Sequence, residues 1–94
     1  LPHTSVHLPL FPGEKFQGKS SNGKYGDWIE EVDTCTGIIL ETLKKERIDQ
    51  NTLVIFTSDN GSNSRNGGSN APLKGSKGST HEGVMRVACL MRWP

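Results

Sequence analysis

The stretch Asn51–Gly61, NTLVIFTSDNG, sets the tightest limit on what this chain can fold into. Leu53, Val54, Ile55 and Phe56 form a continuous apolar run of β-branched and aromatic residues. Such a run lacks the alternation of a half-exposed strand and suits one covered on both faces, as in a parallel sheet flanked by helices. Thr57, Ser58, Asp59, Asn60 and Gly61 follow at once. Ligands of open α/β sheets gather beyond the carboxyl ends of the strands, where this chain puts a carboxylate and an amide. Asp59 and Asn60 are therefore candidate metal ligands, two oxygen donors of the kind that Ca²⁺ or Mg²⁺ prefers. The competing reading is a hairpin turn, since Asn and Gly tolerate positive φ. The residues that follow, SNSRNGGSNAP, hold no alternating apolar strand to fold back. A long polar loop after a buried strand favours a functional role.

A two-sided sheet with its helices needs more chain than 94 residues of 32% hydrophobic content supply. The expectation is an incomplete α/β domain, residues 1–94 forming a single partial domain. The net charge of +1, with both signs mixed along the chain, gives no electrostatic case for nucleic-acid binding. No apolar run approaches the roughly 20 residues that span a bilayer. No signal-peptide pattern is present either, which in a partial chain says nothing about localisation. Cys35 and Cys89 sit in apolar contexts, so two buried free thiols are expected, with a disulfide as the alternative.

Leu1–Pro12, with three prolines, reads as an extended segment running into a loop. On an extended chain the even spacing puts His3 and His7 on one side, and His7, between Val6 and Leu8, is the better candidate for a fixed side chain. The bland alternative for each is a histidine packed or hydrogen-bonded near a loop. Gly13–Gly26 reads as a polar surface loop whose Lys15, Lys19 and Lys24 form a solvated face. Asp27 is an expected N-cap, paired with Glu30 in a capping-box pattern. Trp28, Val32, Cys35, Ile39 and Leu43 then recur at helical spacing, which predicts a helix from about Asp27 to about Lys45. Asp33 is either partly buried beside that stripe or solvated. Arg47–Asn51 is a short connection into the strand, giving an αβ unit.

Gly61–Ala71 is expected to be a flexible polar loop. Asn60-Gly61-Ser62 matches the N-glycosylation pattern, a use incompatible with a metal-binding Asn60. In PLKGSKGSTHEG, Lys74 and Lys77 alternate with glycines that let backbone approach an anion, the alternative being an ordinary Gly-rich turn. The order of residues rules out a Walker A loop. Val84–Trp93 reads as a further strand.

Taken together, NTLVIFTSDNG, APLKGSKGSTHEGVMRV, the closing RWP and HTSVHLPLFPGEKF ahead of GDWIEEVDTCTG resemble the type I sulfatases, in the same order and across nearly the whole chain. The resemblance implies an alkaline-phosphatase-like α/β fold, with a mostly parallel sheet flanked by helices, of which this chain is a downstream portion. It implies hydrolysis of a sulfate ester, on a small molecule or a glycan, by a parent that is secreted, periplasmic or lysosomal. The family's nucleophile is hydrated formylglycine, made from Cys or Ser in a C/S-x-P-S-R motif, and its cation is usually Ca²⁺. By position, Asp59 and Asn60 match the later pair of metal ligands, Lys77 matches a lysine that contacts the sulfate, and His7 matches the sulfate-contacting histidine, with His3 as the alternative. The cation would polarise a sulfate oxygen, Lys77 would neutralise the sulfuryl oxygens, and His7 would serve the leaving oxygen.

The chain departs from the family in lacking the nucleophile motif and the early aspartate pair, so alone it is expected to bind metal poorly and turn over nothing. Val84, Ala88 and His81 are further departures, local to packing. Two rivals remain at this level. One is a phosphatase or phosphodiesterase of the same fold, since fold does not fix the ester cleaved. The other is a non-catalytic relative that keeps the metal and anion loops for binding.

Overall fold

The computed structural model describes residues 1–94, which form two compact units, Leu1–Thr42 and Leu43–Pro94. The elements in order are α1 (Gly23–Lys45), a 3-10 turn (Asp49–Asn51), β1 (Val54–Thr57), a second 3-10 turn (Ser64–Asn66), α2 (Glu82–Met85) and β2 (Cys89–Arg92).

In the first unit the helix begins at Gly23, four residues before the expected start, and Asp27 lies one turn inside it. Asp27 therefore is not an N-cap. Its carboxylate instead accepts the backbone N–H groups of Gly18 (2.9 Å), Lys19 (3.0 Å) and Ser20 (2.7 Å), and the residue is 2% exposed. Glu31, four residues on and hence on the same helix face, accepts the Gly13 N–H at 2.8 Å. Two carboxylates on one face thus grip the backbone of the loop that sequence alone presents only as polar and Gly-rich. Three N–H donors on one carboxylate stabilise its charged form.

The Ser20 N–H above all, then that of Gly18, holds the Asp27 carboxyl below its ordinary value of 3.8, with burial opposing and Lys19 adding to the lowering. A group with a depressed folded pKa lends stability above its unfolded pKa and loses it as pH falls towards the folded one. Amide exchange at Gly18, Lys19 and Ser20 is therefore expected to be slow at neutral pH and to lose its protection below about pH 3.8. Asp27→Asn should weaken that protection at neutral pH, most of all at Gly18, whose N–H would face the Nδ2 donor while the remaining Oδ1 still accepts from Lys19 and Ser20. Unchanged exchange at those amides in the variant would show that the carboxylate does not hold the loop.

The rest of the first unit also differs from its expectation. Leu1–Pro12 bends rather than running straight, with the His7 N–H donated to the Thr4 carbonyl at 3.0 Å, so His3 and His7 do not share a side through even spacing. Asp33 is exposed, which selects the solvated reading.

The second unit opens with the end of α1. Ile48 N–H bonds to Leu43 O (3.1 Å) and Arg47 N–H to Lys44 O (3.0 Å), the paired bonds of a Schellman motif. Arg47 takes the left-handed conformation, φ 57°, that this motif requires of its C′ residue. The turn Asp49–Asn51 then leads into β1, and it is fastened to the far strand: Arg92 lies 3.9 Å from the Asp49 carboxylate, and Trp93 Nε1–H donates to Gln50 O at 3.2 Å.

β1 pairs with β2 antiparallel, in the register Val54↔Arg92, Ile55↔Met91, Phe56↔Leu90 and Thr57↔Cys89. The strand expected of Leu53–Phe56 is present, and its one partner within this chain runs antiparallel to it. The run has one partner strand, and Ile55 and Phe56 are 51% and 40% exposed. Val84–Trp93 is not one strand either: Val84 and Met85 close the short helix α2, and only Cys89–Arg92 extends. Cys35 and Cys89 are both free, and both are exposed rather than buried.

No hydrophobic side chain in the chain is fully buried. The accessible surface is 7207 Å², whereas a folded monomer of 10.3 kDa exposes about 5,400 Å² on the usual scaling of area with mass. The sheet is apolar on both faces, because directly opposed residues share a face and the pairs Phe56–Leu90 and Ile55–Met91 point to opposite ones.

Candidate active site

β1 ends at Thr57, whose Oγ1 donates to Ala88 O at 3.0 Å and so carries the pairing of the two segments one step further. The chain then turns through Ser58, Asp59 and Asn60, with Ser58 Oγ donating to Asn60 O at 2.7 Å. Asp59 is exposed and Asn60 half-buried. The two residues after them are held by backbone bonds. Gly61 N–H donates to Val84 O at 2.9 Å, and Ser62 O accepts Lys77 N–H at 3.0 Å. Lys77 is thereby fastened through its main chain to the segment bearing Asp59 and Asn60, while its ammonium group stays exposed.

Gly61 is buried, and the closeness of its surroundings requires a glycine there. A methyl group at that position would overlap the Gly83 carbonyl oxygen and crowd the Val84 Cα, both backbone atoms. Gly83 N–H in turn bonds to Lys74 O at 2.8 Å, so the loop carrying Lys74 and Lys77 is stitched to α2 as well. The expected flexible loop Gly61–Ala71 is therefore tied at its start, and a 3-10 turn at Ser64–Asn66, capped by the Asn63 side chain, orders its middle.

Sequence reasoning missed one residue here. Asn70 Oδ1 accepts the Ser62 N–H (2.7 Å), and its Nδ2 donates to Ser62 O (2.9 Å) and Gly75 O (2.9 Å). The amide pairs with a peptide group as a neighbouring strand would, and then reaches a third main-chain atom. The only signal in the sequence was a polar residue with donor and acceptor inside a Gly- and Ser-rich loop.

Asp59 and Asn60 supply a carboxylate and an amide oxygen, a donor set that fits a hard cation. Such a cation takes 6–8 oxygens as a rule, so two donors make only part of a cage. The chain contains no grouping of three or more His, Cys, Asp or Glu side chains able to complete one. His7 lies in the first unit, exposed, its Nδ1 2.9 Å from the carbonyl oxygen of the adjacent Leu8; His3 is exposed in the same unit.

A profile of the sulfatase family matches residues 2–94. The chain belongs to the sulfatase family. This sulfatase segment is 47% identical over 97 residues to arylsulfatase H of Canis lupus familiaris, covering 95% of this chain and 17% of that protein. It is 41% identical over 102 residues to steryl-sulfatase of Homo sapiens, covering all of this chain and 18% of that one. Against N-acetylgalactosamine-6-sulfatase of Canis lupus familiaris the identity is 43% over 94 residues, 96% of this chain and 18% of the relative. The chain thus spans less than a fifth of the length of these relatives. Among solved structures, Ps i-CgsB in complex with k-i-k-neocarrahexaose matches with TM-score 0.84 and 38% identity, over 96% of this chain and 21% of that one. A second structure of Ps i-CgsB gives TM-score 0.87 at 36% identity, over 98% and 22%. The sulfatase segment is therefore of the α/β class, with helices and a sheet in one chain.

Proposed function

We propose that this segment is the downstream portion of the catalytic domain of a sulfuric-ester hydrolase, with an alkaline-phosphatase-like fold whose mostly parallel sheet is completed by the rest of the protein. The reading is supported by the family match over residues 2–94 and by the surface that the chain leaves uncovered. One observation carries the site: the Lys77 N–H to Ser62 O bond, which links the main chain of the candidate sulfate-contacting lysine to that of the candidate metal ligands.

In this reading Asp59 and Asn60 hold one side of a divalent cation, Ca²⁺ by family resemblance, and the remaining ligands and the formylglycine nucleophile come from upstream sequence. When bound, the cation draws electron density from a sulfate oxygen. Lys77 places a positive charge against the sulfuryl oxygens, a contribution that grows as charge accumulates there. By family resemblance His7 serves the leaving oxygen, as proton donor or as hydrogen-bond partner. The relatives named for sterol and amino-sugar sulfates share this segment, so it serves the ester group common to their substrates. The substrate class is a small-molecule or glycan sulfate ester.

The test uses the full-length protein, an aryl sulfate and the matching aryl phosphate, each with and without a chelator of divalent cations. Hydrolysis of the sulfate that the chelator suppresses, with the phosphate turned over far more slowly, is the expected result. Preference for the phosphate would instead make the protein a phosphatase of the same fold. Turnover of neither would make it a non-catalytic relative.

A further inference from the structure

We infer that Asn70 is a positioning residue: its side-chain amide sets the separation between the cation-ligand segment and the loop of Lys77. This rests on the proposed sulfatase site and adds to it a residue that touches neither cation nor ester. The geometry is specific. Oδ1 and Nδ2 take the N–H and C=O of the same residue, Ser62, at 2.7 and 2.9 Å. Ser62 stands two positions after Asn60, and its carbonyl also accepts Lys77 N–H at 3.0 Å. The second proton of Nδ2 goes to Gly75 O at 2.9 Å, two positions before Lys77. Each end of the bridge is therefore two residues from a candidate functional side chain.

The Gly75 anchor and Asn70 itself are constrained in turn. Gly75 has φ 107°, a conformation that an L side chain resists, and a methyl group there would meet the His81 Cβ at 2.6 Å. Gly83 packs against Asn70, since a Cβ on it would lie 2.9 Å from the Asn70 Cβ. Ser76 Oγ, also in the lysine loop, accepts Ser64 N–H at 3.1 Å but lies 3.4 Å from Ser62 O, so it supplies one ordinary bond and one long contact where the amide makes three short ones. A carboxylate at position 70 would keep the Ser62 N–H bond and turn both Nδ2 contacts into oxygen facing carbonyl oxygen. The loop of Lys77 would then move away from Asp59 and Asn60 while the Lys77 side chain remained.

The experiment is a double-mutant cycle in the full-length protein between Asn70→Asp and Lys77→Ala, read as kcat/KM for an aryl sulfate, with Ca²⁺ affinity by calorimetry on the same variants. Asn70→Asp is expected to lower kcat/KM about 10–100-fold, the range seen when a residue that orients a site is lost. In the Lys77→Ala background it should cost less than about threefold, because a residue acting through Lys77 has nothing left to position. Equal losses in both backgrounds would overturn the inference and leave Asn70 a general support of the fold. Should Asn70→Asp not fold, Asn70→Ser in the same cycle gives the same two outcomes. The underlying reading fails separately: it is lost if Lys77→Ala alone leaves kcat/KM unchanged and Asp59→Ala alone leaves Ca²⁺ affinity unchanged.

Discussion

Replacing Lys77 by alanine in the full-length sulfatase is expected to lower kcat for a sulfate ester by about 10²–10³-fold, the usual loss when one donor aimed at developing negative charge is removed. The attribution is clean because of how the residue is held. Its structural bond is made by the main chain, N–H to Ser62 O at 3.0 Å, and alanine keeps that donor. The side chain is exposed and forms no hydrogen bond or ion pair within the chain, so its removal leaves no partner stranded. Thermal stability should therefore stay within about 0.5 kcal/mol of the parent, as for surface substitutions generally. Steady-state kinetics separate the two ways in which the lysine can act. A fall in kcat with KM little changed means that its charge matters most in the transition state, whereas a rise in KM alone means uniform binding of the ester. Turnover within threefold of the parent would remove Lys77 from the site.

The second large effect is on folding. Gly61→Ala forces a methyl group into the Gly83 carbonyl and towards the Val84 Cα, and backbone atoms have no rotamer by which to retreat. Relief requires the turn after β1 to separate from α2, which breaks the 2.9 Å bond from Gly61 N–H to Val84 O. Overpacking costs about 1–3 kcal/mol and the lost hydrogen bond about 1 more, a large part of the 5–15 kcal/mol that holds a typical domain together. Chemical denaturation of the full-length protein should show the loss, with Asp59 and Asn60 displaced and Ca²⁺ binding weakened in parallel. Gly37→Ala serves as the control: Gly37 lies within α1 with open space around its Cβ position, so alanine there should be neutral or stabilising. If Gly61→Ala proves no more harmful than Gly37→Ala, the close approach of the two segments is not what fixes the turn.

How far the sequence alone reaches can be judged from particular residues. The 3.6-residue recurrence of Trp28, Val32, Cys35, Ile39 and Leu43 located α1 to within a turn, because side-chain periodicity is a local property written directly in residue types. The apolar run from Leu53 located β1, and the ordered motifs with Asp59, Asn60, Lys77 and His7 were enough to point to the sulfatases. What periodicity left open was partnership. The run at Leu53 did not say that its neighbour would be Cys89–Arg92, nor that the pair would be antiparallel.

The same division holds at the site. Residue chemistry marks Asp59, Asn60 and Lys77 as oxygen donors and a cation, whatever the chain does around them. That Asn70 joins their two loops, and that Asp27 faces three amides of a preceding loop instead of capping its own helix, was decided only by the tertiary structure. The reason is physical: these contacts end on main-chain N–H and C=O groups, which almost every residue carries alike, so no side-chain pattern announces them.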